Sequence, residues 1–292
     1  MKILIYTFSG TGNTFLTADY IAGALREKGV SVDLFKIEDI INNDENIKLD
    51  GVSHILIGYP IHAFNSPKIV VDFSKKLPSS SGQKVSIFKT SGEPFFFNNS
   101  SSHILLKQLR LKGYDFLIET HFLMPYNIMF RYPDSLVKQM FILMQQMAGK
   151  YADDIISEKG EGISYTMLNK LVSFVLRIQW GGARLNGRLY SCKHKKCTLC
   201  MKCVNNCPSQ NIRVENGRIR FDGKCLMCMR CVQNCNFNAI NIGILRFWAV
   251  RGKYDFESIS TDELVSSKYI NENTHGYFKL FRRYFIKNKN SK

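Results

Sequence analysis

The sequence predicts an α/β chain in two parts: a doubly wound, five-stranded parallel sheet, then a small α+β domain. Three observations carry that expectation. Short apolar runs alternate with helix-periodic runs from Lys2 to Leu123. The first of them feeds directly into a loop of Gly, Ser and Thr. One cysteine pattern is then written twice, its copies 28 residues apart (Cys197 to Cys225).

Residues 2–8, KILIYTF, are apolar, β-branched and aromatic, as in a strand buried on both faces. Ser9-Gly10-Thr11-Gly12-Asn13-Thr14 follows at once. Phe15, Leu16, Ala18, Ile21, Ala22 and Leu25 then recur with helical period as far as Gly29. A strand, a tight loop and a helix N-terminus make an anion site, because loop N–H groups converge where the helix dipole is positive. The hydroxyls of Ser9, Thr11 and Thr14 add donors. With no lysine, the loop suits a monophosphate; it is neither a Walker A loop nor G-x-G-x-x-G, and a plain Gly-Ser turn is the alternative.

Further strands are expected at 32–36, 54–59 (HILIGY), 84–90 and 116–123. Helices carrying Ile69, Val70, Phe73 and Leu77, and then residues 101–112, separate them. Strands alternating with helices give a doubly wound parallel sheet, whose ligands sit at the carboxyl ends of the strands. Three loops leave those ends: residues 9–14, 60–67 and 90–94. Residues 135–158 read as a long amphipathic helix closing this domain. Residues 163–185 read as one helix bridging to the second; Lys170 and Arg177 interrupt its apolar run, which falls short of the roughly 18 residues a membrane span needs.

The cysteine pattern is C-x2-C-x2-C-x3-C. Cys197, Cys200, Cys203 and Cys207 form the first copy, followed by Pro208; Cys225, Cys228, Cys231 and Cys235 form the second. This is the bacterial spacing for [4Fe–4S] clusters, in which the fourth cysteine ligates the other cluster. Cys197, Cys200, Cys203 and Cys235 are therefore expected on one cluster, and Cys225, Cys228, Cys231 and Cys207 on the second. Zinc needs only four ligands and no third cysteine at this spacing. A disulfide framework needs a secreted context. Cys192, the ninth cysteine, is left as a partly buried free thiol.

Charge is uneven. Residues 1–180 hold 19 Lys+Arg against 17 Asp+Glu; residues 181–292 hold 21 against 7, within a total of +16. Two anionic clusters offset part of this. The remainder suits an acidic redox partner, anionic lipid or nucleic acid, or else a solvated basic face. The segment GYFKLFRRYFIKNKNSK alternates aromatics with bases. It reads as a helix packed on the body, with a membrane-surface helix and a nucleic-acid contact as alternatives, of which nucleic-acid binding is not expected. Reduced cysteines and a strand pattern directly after Lys2 point to the cytoplasm.

The loop SGTGNT resembles the phosphate loop of the flavodoxins, which binds the 5′-phosphate of FMN. That resemblance implies a flavodoxin-like fold with Ser9, Gly10, Thr11, Gly12, Asn13 and Thr14 around the phosphate. Tyr59, Pro60, His62 and Phe64 in the second loop, and Thr90, Ser91, Gly92 and Phe95–Phe97 in the third, would then flank the flavin ring. Residues 196–240 resemble the two-cluster bacterial ferredoxins, with Asn236 where the first copy has Pro208. Over about residues 1–150 and 187–245 the chain resembles flavodoxin–ferredoxin fusion proteins of anaerobes. The domains implied are 1–160 for FMN, 161–187 a helical linker, 188–245 for two clusters, and 246–292 a C-terminal extension. The family implies an intracellular electron-transfer protein. No further acid–base or nucleophilic constellation and no nicotinamide fingerprint is visible, so no catalytic residue is assigned and enzymatic activity stays open. The alternatives are a ferredoxin carrier whose sheet domain holds no flavin and serves only for docking, and a nucleic-acid or membrane binder with structural clusters.

Overall fold

The computed structural model describes residues 1–289. Strands β1 (Lys2–Thr7), β2 (Ser31–Lys36), β3 (His54–Pro60), β4 (Lys84–Ser91) and β5 (Asp115–Leu123) form one parallel sheet in the order β2-β1-β3-β4-β5. This is the doubly wound order of the flavodoxin-like fold, with its switch point between β1 and β3.

Period-two alternation divides the core. Ile3 and Ile5 of β1 face one side with Leu56 and Phe88; Leu4 and Tyr6 face the other with Ile55, Ile57 and Val85. Helices α1 (Asn13–Glu27) and α5 (Asp134–Ile156) cover the first face. Helices α2 (Ile37–Asn42), α3 (Lys68–Lys76) and α4 (His103–Leu111) cover the second.

The expected bridging helix is two helices, α6 (Met167–Leu176) and α7 (Gln179–Arg188). Thr166 and Asn169 form a capping box that starts α6. The break at residues 177–178 lets α6 pack on the 3-10 turn Phe96–Ser102 while α7 runs on toward the cysteines.

The second domain is small. Strands β6 (Ser191–Cys192) and β9 (Ile240–Asn241) pair antiparallel, as do β7 (Ile212–Glu215) and β8 (Arg218–Phe221). Helices α8 (Lys202–Asn205) and α9 (Arg230–Gln233) are single turns. The sequence repeat persists in the backbone. Leu199 and Met227, Met201 and Met229, and Gln210 and Asn238 all take positive φ near 50–60°, each pair 28 residues apart. Such left-handed residues are costly for L-amino acids and persist where the surroundings dictate them.

The C-terminal segment is not an independent extension. After the 3-10 turn Gly243–Trp248 the chain returns to the first domain through α10 (Phe256–Thr261) and α11 (Phe281–Lys289). Tyr254, Ile259, Ile270, Phe281 and Phe285 complete the core on the α5 face. Gln139 exchanges two hydrogen bonds with the backbone of Ile270, and Tyr284 donates to the His121 carbonyl (2.6 Å). Phe281 and Phe285 of this segment face inward, Phe278 and Tyr284 are half-buried and Tyr277 is exposed; residues 290–292 lie outside the described residues. Among the described residues no helix is long and apolar enough to cross a membrane.

Candidate functional site

The loop after β1 is held by its own residues and by two neighbouring loops. Gly12 has φ +114°, a conformation that favours glycine, and caps α1. Its N–H donates to Ser9 Oγ (3.1 Å). Thr14 Oγ1 lies 2.7 Å from Thr90 Oγ1, tying the first loop to the third. Asn13 Nδ2 donates to the Pro125 carbonyl (2.9 Å), and Asn127 Nδ2 donates to Thr11 Oγ1. The first-turn N–H groups of α1 have no intrahelical acceptor, which leaves donors for an anion.

These loops wall a cavity of about 520 Å³, within the ~300–1,000 Å³ range of small-molecule sites. Ser9, Gly10, Thr11, Asn13, Thr14, Pro60, His62, Thr90, Ser91 and Gly92 line it. Four residues expected there do not. Gly12 acts through its backbone conformation. Tyr59 is fully buried, its side chain pointing off β3 into the core on the α3/α4 face, so it cannot stack on a ligand. Phe64 and Phe95 do line the cavity, whereas Phe96 is exposed and Phe97 packs on Phe64. A Cβ on Gly92 would come within 2.5 Å of the Tyr126 ring, so only glycine lets these walls close.

The remaining lining was not expected. Met124, Pro125, Tyr126, Asn127 and Ile128 form a fourth loop. It leaves the carboxyl end of β5, and that position was the signal available in the sequence. Gln179, Trp180, Ala183 and Arg184 come from α7, and Cys225, Leu226, Met227, Cys228 and Met229 from the second cysteine motif. No local pattern announces these contacts, because they depend on how the domains pack.

Buried polar groups set the electrostatics. His62 is pushed down to about 4 by burial, so its ring is neutral at neutral pH; its carbonyl accepts from Gln179 Nε2. Beneath the third loop, Lys89 and Glu119 form a fully buried ion pair (2.7 Å). Burial pushes Lys89 below the usual lysine range, and Glu119 opposes that shift. Lys89 also donates to the carbonyls of Asn98 (3.0 Å) and Asn99 (3.2 Å), fixing the turn that carries Phe95 and Phe97. His121, 2.7 Å from Ser91 Oγ, is pushed down to about 3 by burial and then by Lys89.

The cysteines of the two motifs lie within electrostatic reach of one another. Cys203 is pushed up to about 11 by burial and then by Cys197, Cys235 and Cys200. Cys231 is raised by burial and then by Cys228, Cys225, Cys207 and Cys203. Cys235 thus acts on Cys203 of the first motif, and Cys207 on Cys225, Cys228 and Cys231 of the second. Backbone N–H groups point at the sulfurs: Asn211 N to Cys207 Sγ and Ala239 N to Cys235 Sγ, both 3.2 Å and again 28 residues apart. Donors of this kind tune iron–sulfur potentials. Among the described residues no three His, Cys, Asp or Glu side chains converge on one metal ion. A cube with an iron at each thiolate needs no such convergence, and the donor set fits it. Cys192 sits buried on β6, its thiol pushed up to about 12 by burial and by Cys197.

The two halves meet tightly. A Cβ on Gly10 would stand 2.4 Å from the Cys228 carbonyl oxygen. A Cβ on Gly187 would stand 2.1 Å from the Cys225 Cβ. Arg230 donates to the Ser9 carbonyl (2.5 Å), the Gly10 carbonyl (3.3 Å) and Glu38 Oε1 (2.6 Å).

Residues 190–236 match the family model of the 4Fe-4S dicluster domain. The chain joins a flavodoxin-like α/β sheet to a ferredoxin-type dicluster domain. Among solved structures it is similar to oxidised flavodoxin 1 from Bacillus cereus, at 17% identity and TM-score 0.41, over 54% of this chain and 98% of that one. Flavodoxin 2 from the same organism matches at 18% identity and TM-score 0.41, over 54% and 99%. Rubredoxin:oxygen oxidoreductase from Desulfovibrio gigas matches at 16% identity and TM-score 0.38, over 54% and 36%. Among curated proteins none matches. Joined in this way, the two domains support an electron-transfer role.

Proposed function

We propose that the protein is an electron relay. The eight cysteines hold two [4Fe–4S] clusters in the crossed sets above, and the cavity between the domains holds FMN. The clusters exchange single electrons and FMN one or two, so together they would join one-electron carriers to a two-electron step. One observation carries this reading: Cys225 and Cys228 line the same cavity as Ser9, Gly10, Thr11, Asn13 and Thr14. A flavin there and the cluster of the second motif would share a wall.

The chain's own residues supply binding, orientation and exclusion of water. The first turn of α1, with Thr11 and Thr14, would take the phosphate. Backbone groups at Thr90–Gly92, with Phe64 and Phe95, would position the ring; His62 would meet it as a neutral group. Arg230 would hold the loop and the motif in register. An acidic redox partner suits the open depression of about 780 Å³ beside Cys235, which Lys202, Arg251 and Lys253 line.

A carrier without flavin is the second reading. It is favoured by the loop's internal bonding: the Gly12 N–H, a donor that a phosphate would use, is taken by Ser9 Oγ (3.1 Å). Anaerobic purification followed by iron, sulfide and flavin assays separates the two. About eight irons and one FMN per chain support the relay. Eight irons with no flavin, even after FMN is added back, would reduce the sheet domain to a docking module.

A further inference from the structure

Helix α6 is built inside out. Met167, Leu168, Leu171, Phe174, Val175 and Ile178 are each 56–79% exposed. Their spacing of i, i+1, i+4, i+7, i+8 and i+11 places them on one stripe. The opposite side is polar and fully buried: Asn169 Nδ2 donates to the Phe96 carbonyl (3.1 Å), and Ser173 Oγ donates to Asn65 Oδ1 (2.7 Å). A surface helix ordinarily turns its apolar stripe inward. Here hydrogen bonds anchor the helix and leave the stripe facing out.

The surroundings say what the stripe meets. From Glu161 to Glu215 the intervening chain contains nine Lys and Arg and no Asp or Glu. Lys170 and Arg177, seven residues apart, border the stripe on α6; exposed Arg184 and Arg188 follow on α7. Asn186 bonds α7 to the turn Gly243–Trp248, where Ile244 and Phe247 are about 70% exposed beside Arg246. Exposed apolar side chains bordered by bases match an interfacial helix on an anionic lipid surface, where apolar groups enter the acyl boundary and long basic side chains reach the headgroups.

We propose that α6, with α7 and the Gly243–Trp248 turn, docks the protein peripherally on anionic membranes. The site differs from the C-terminal aromatic segment, where Phe281 and Phe285 are committed to the core. It needs neither flavin nor clusters. It would place lipid beside α7, which lines the interdomain cavity.

The test is vesicle flotation of the full-length, cluster-loaded protein. One vesicle population is phosphatidylcholine alone; the other is equal parts phosphatidylcholine and phosphatidylglycerol. Binding is expected only to the second, and high salt should release it. Leu171→Gln with Phe174→Gln changes two exposed side chains, so iron content should be unaltered while partition falls about tenfold or more. Lys170→Glu with Arg184→Glu should also weaken binding. Equal binding by the apolar variant would overturn the proposal, as would no binding of wild type to anionic vesicles. If wild type instead forms a dimer that the Gln variant dissolves, the face belongs to a second copy of the chain.

Discussion

Gly10 and Cys228 are in backbone contact across the two domains. A methyl group on Gly10 would sit 2.4 Å from the Cys228 carbonyl oxygen, too close for any real Cβ. The phosphate-type loop and the cluster-type loop are therefore one packed unit. Gly12, two residues on, has open space around it but φ +114°. These two glycines should fail differently. Gly12→Val strains only its own turn, so flavin occupancy should fall while iron content holds. Gly10→Ala should force the loops apart, lowering flavin occupancy and making the clusters more oxygen-labile. Iron, sulfide and flavin assays on both variants decide it; full flavin in Gly12→Val would remove the phosphate-loop assignment.

Arg230 is the clamp across the same contact. Its guanidinium reaches the Ser9 and Gly10 carbonyls and Glu38, whose side chain is nearly buried. Removing one partner of a buried pair leaves an uncompensated charge, which costs roughly 3–5 kcal/mol. Arg230→Ala should thus destabilise the protein by more than Arg230→Ala combined with Glu38→Gln. A double-mutant cycle by denaturant unfolding measures that difference, and simple additivity would show that the pair is not coupled.

What the sequence disclosed followed from local chemistry. Alternating apolar runs announced the parallel sheet, SGTGNT announced a loop at its carboxyl edge, and the doubled spacing announced two groups of four thiols. What it hid depends on packing. Tyr59 looks like a stacking residue because it ends a strand beside a loop, but the pleat turns it into the core. The basic-aromatic segment reads as packed on the body, but nothing local shows that Phe281 and Phe285 close the α5 face. The Arg230 clamp pairs residues some 220 positions apart, and nothing near Ser9 signals it.

Histidines make the fold acid-sensitive. His54 is fully buried with Nε2 2.9 Å from Ser86 Oγ; burial, and then Lys84, push it down to about 4. In the unfolded chain it titrates near 6.5. Between those values the unfolded state holds more protons, so stability rises with pH and is lost as pH falls from 6.5 through about 4. The full swing is on the order of 3 kcal/mol. His54→Gln keeps a polar partner for Ser86 and removes the titration. Urea midpoints followed from neutral to mildly acidic pH should decline less steeply in the variant; parallel profiles would clear His54 of any part in acid lability.

Crossed ligation has its own signature. Cys207 acts electrostatically on Cys225, Cys228 and Cys231, and Cys235 on Cys203. If the crossed groups are the ligand sets, Cys207→Ser and Cys225→Ser must perturb the same cluster, and Cys235→Ser and Cys197→Ser the other. Electron paramagnetic resonance of the reduced variants resolves the two signals. If Cys207→Ser paired with Cys197→Ser instead, each motif would hold its own cluster. Cys200→Ala should lose one cluster and destabilise the second domain, because β6 to β9 enclose only a small core around the sulfurs. Cys192→Ser should leave iron at the wild-type level if the eight motif cysteines are the whole ligand set, although Cys192 stands on β6 beside Cys197.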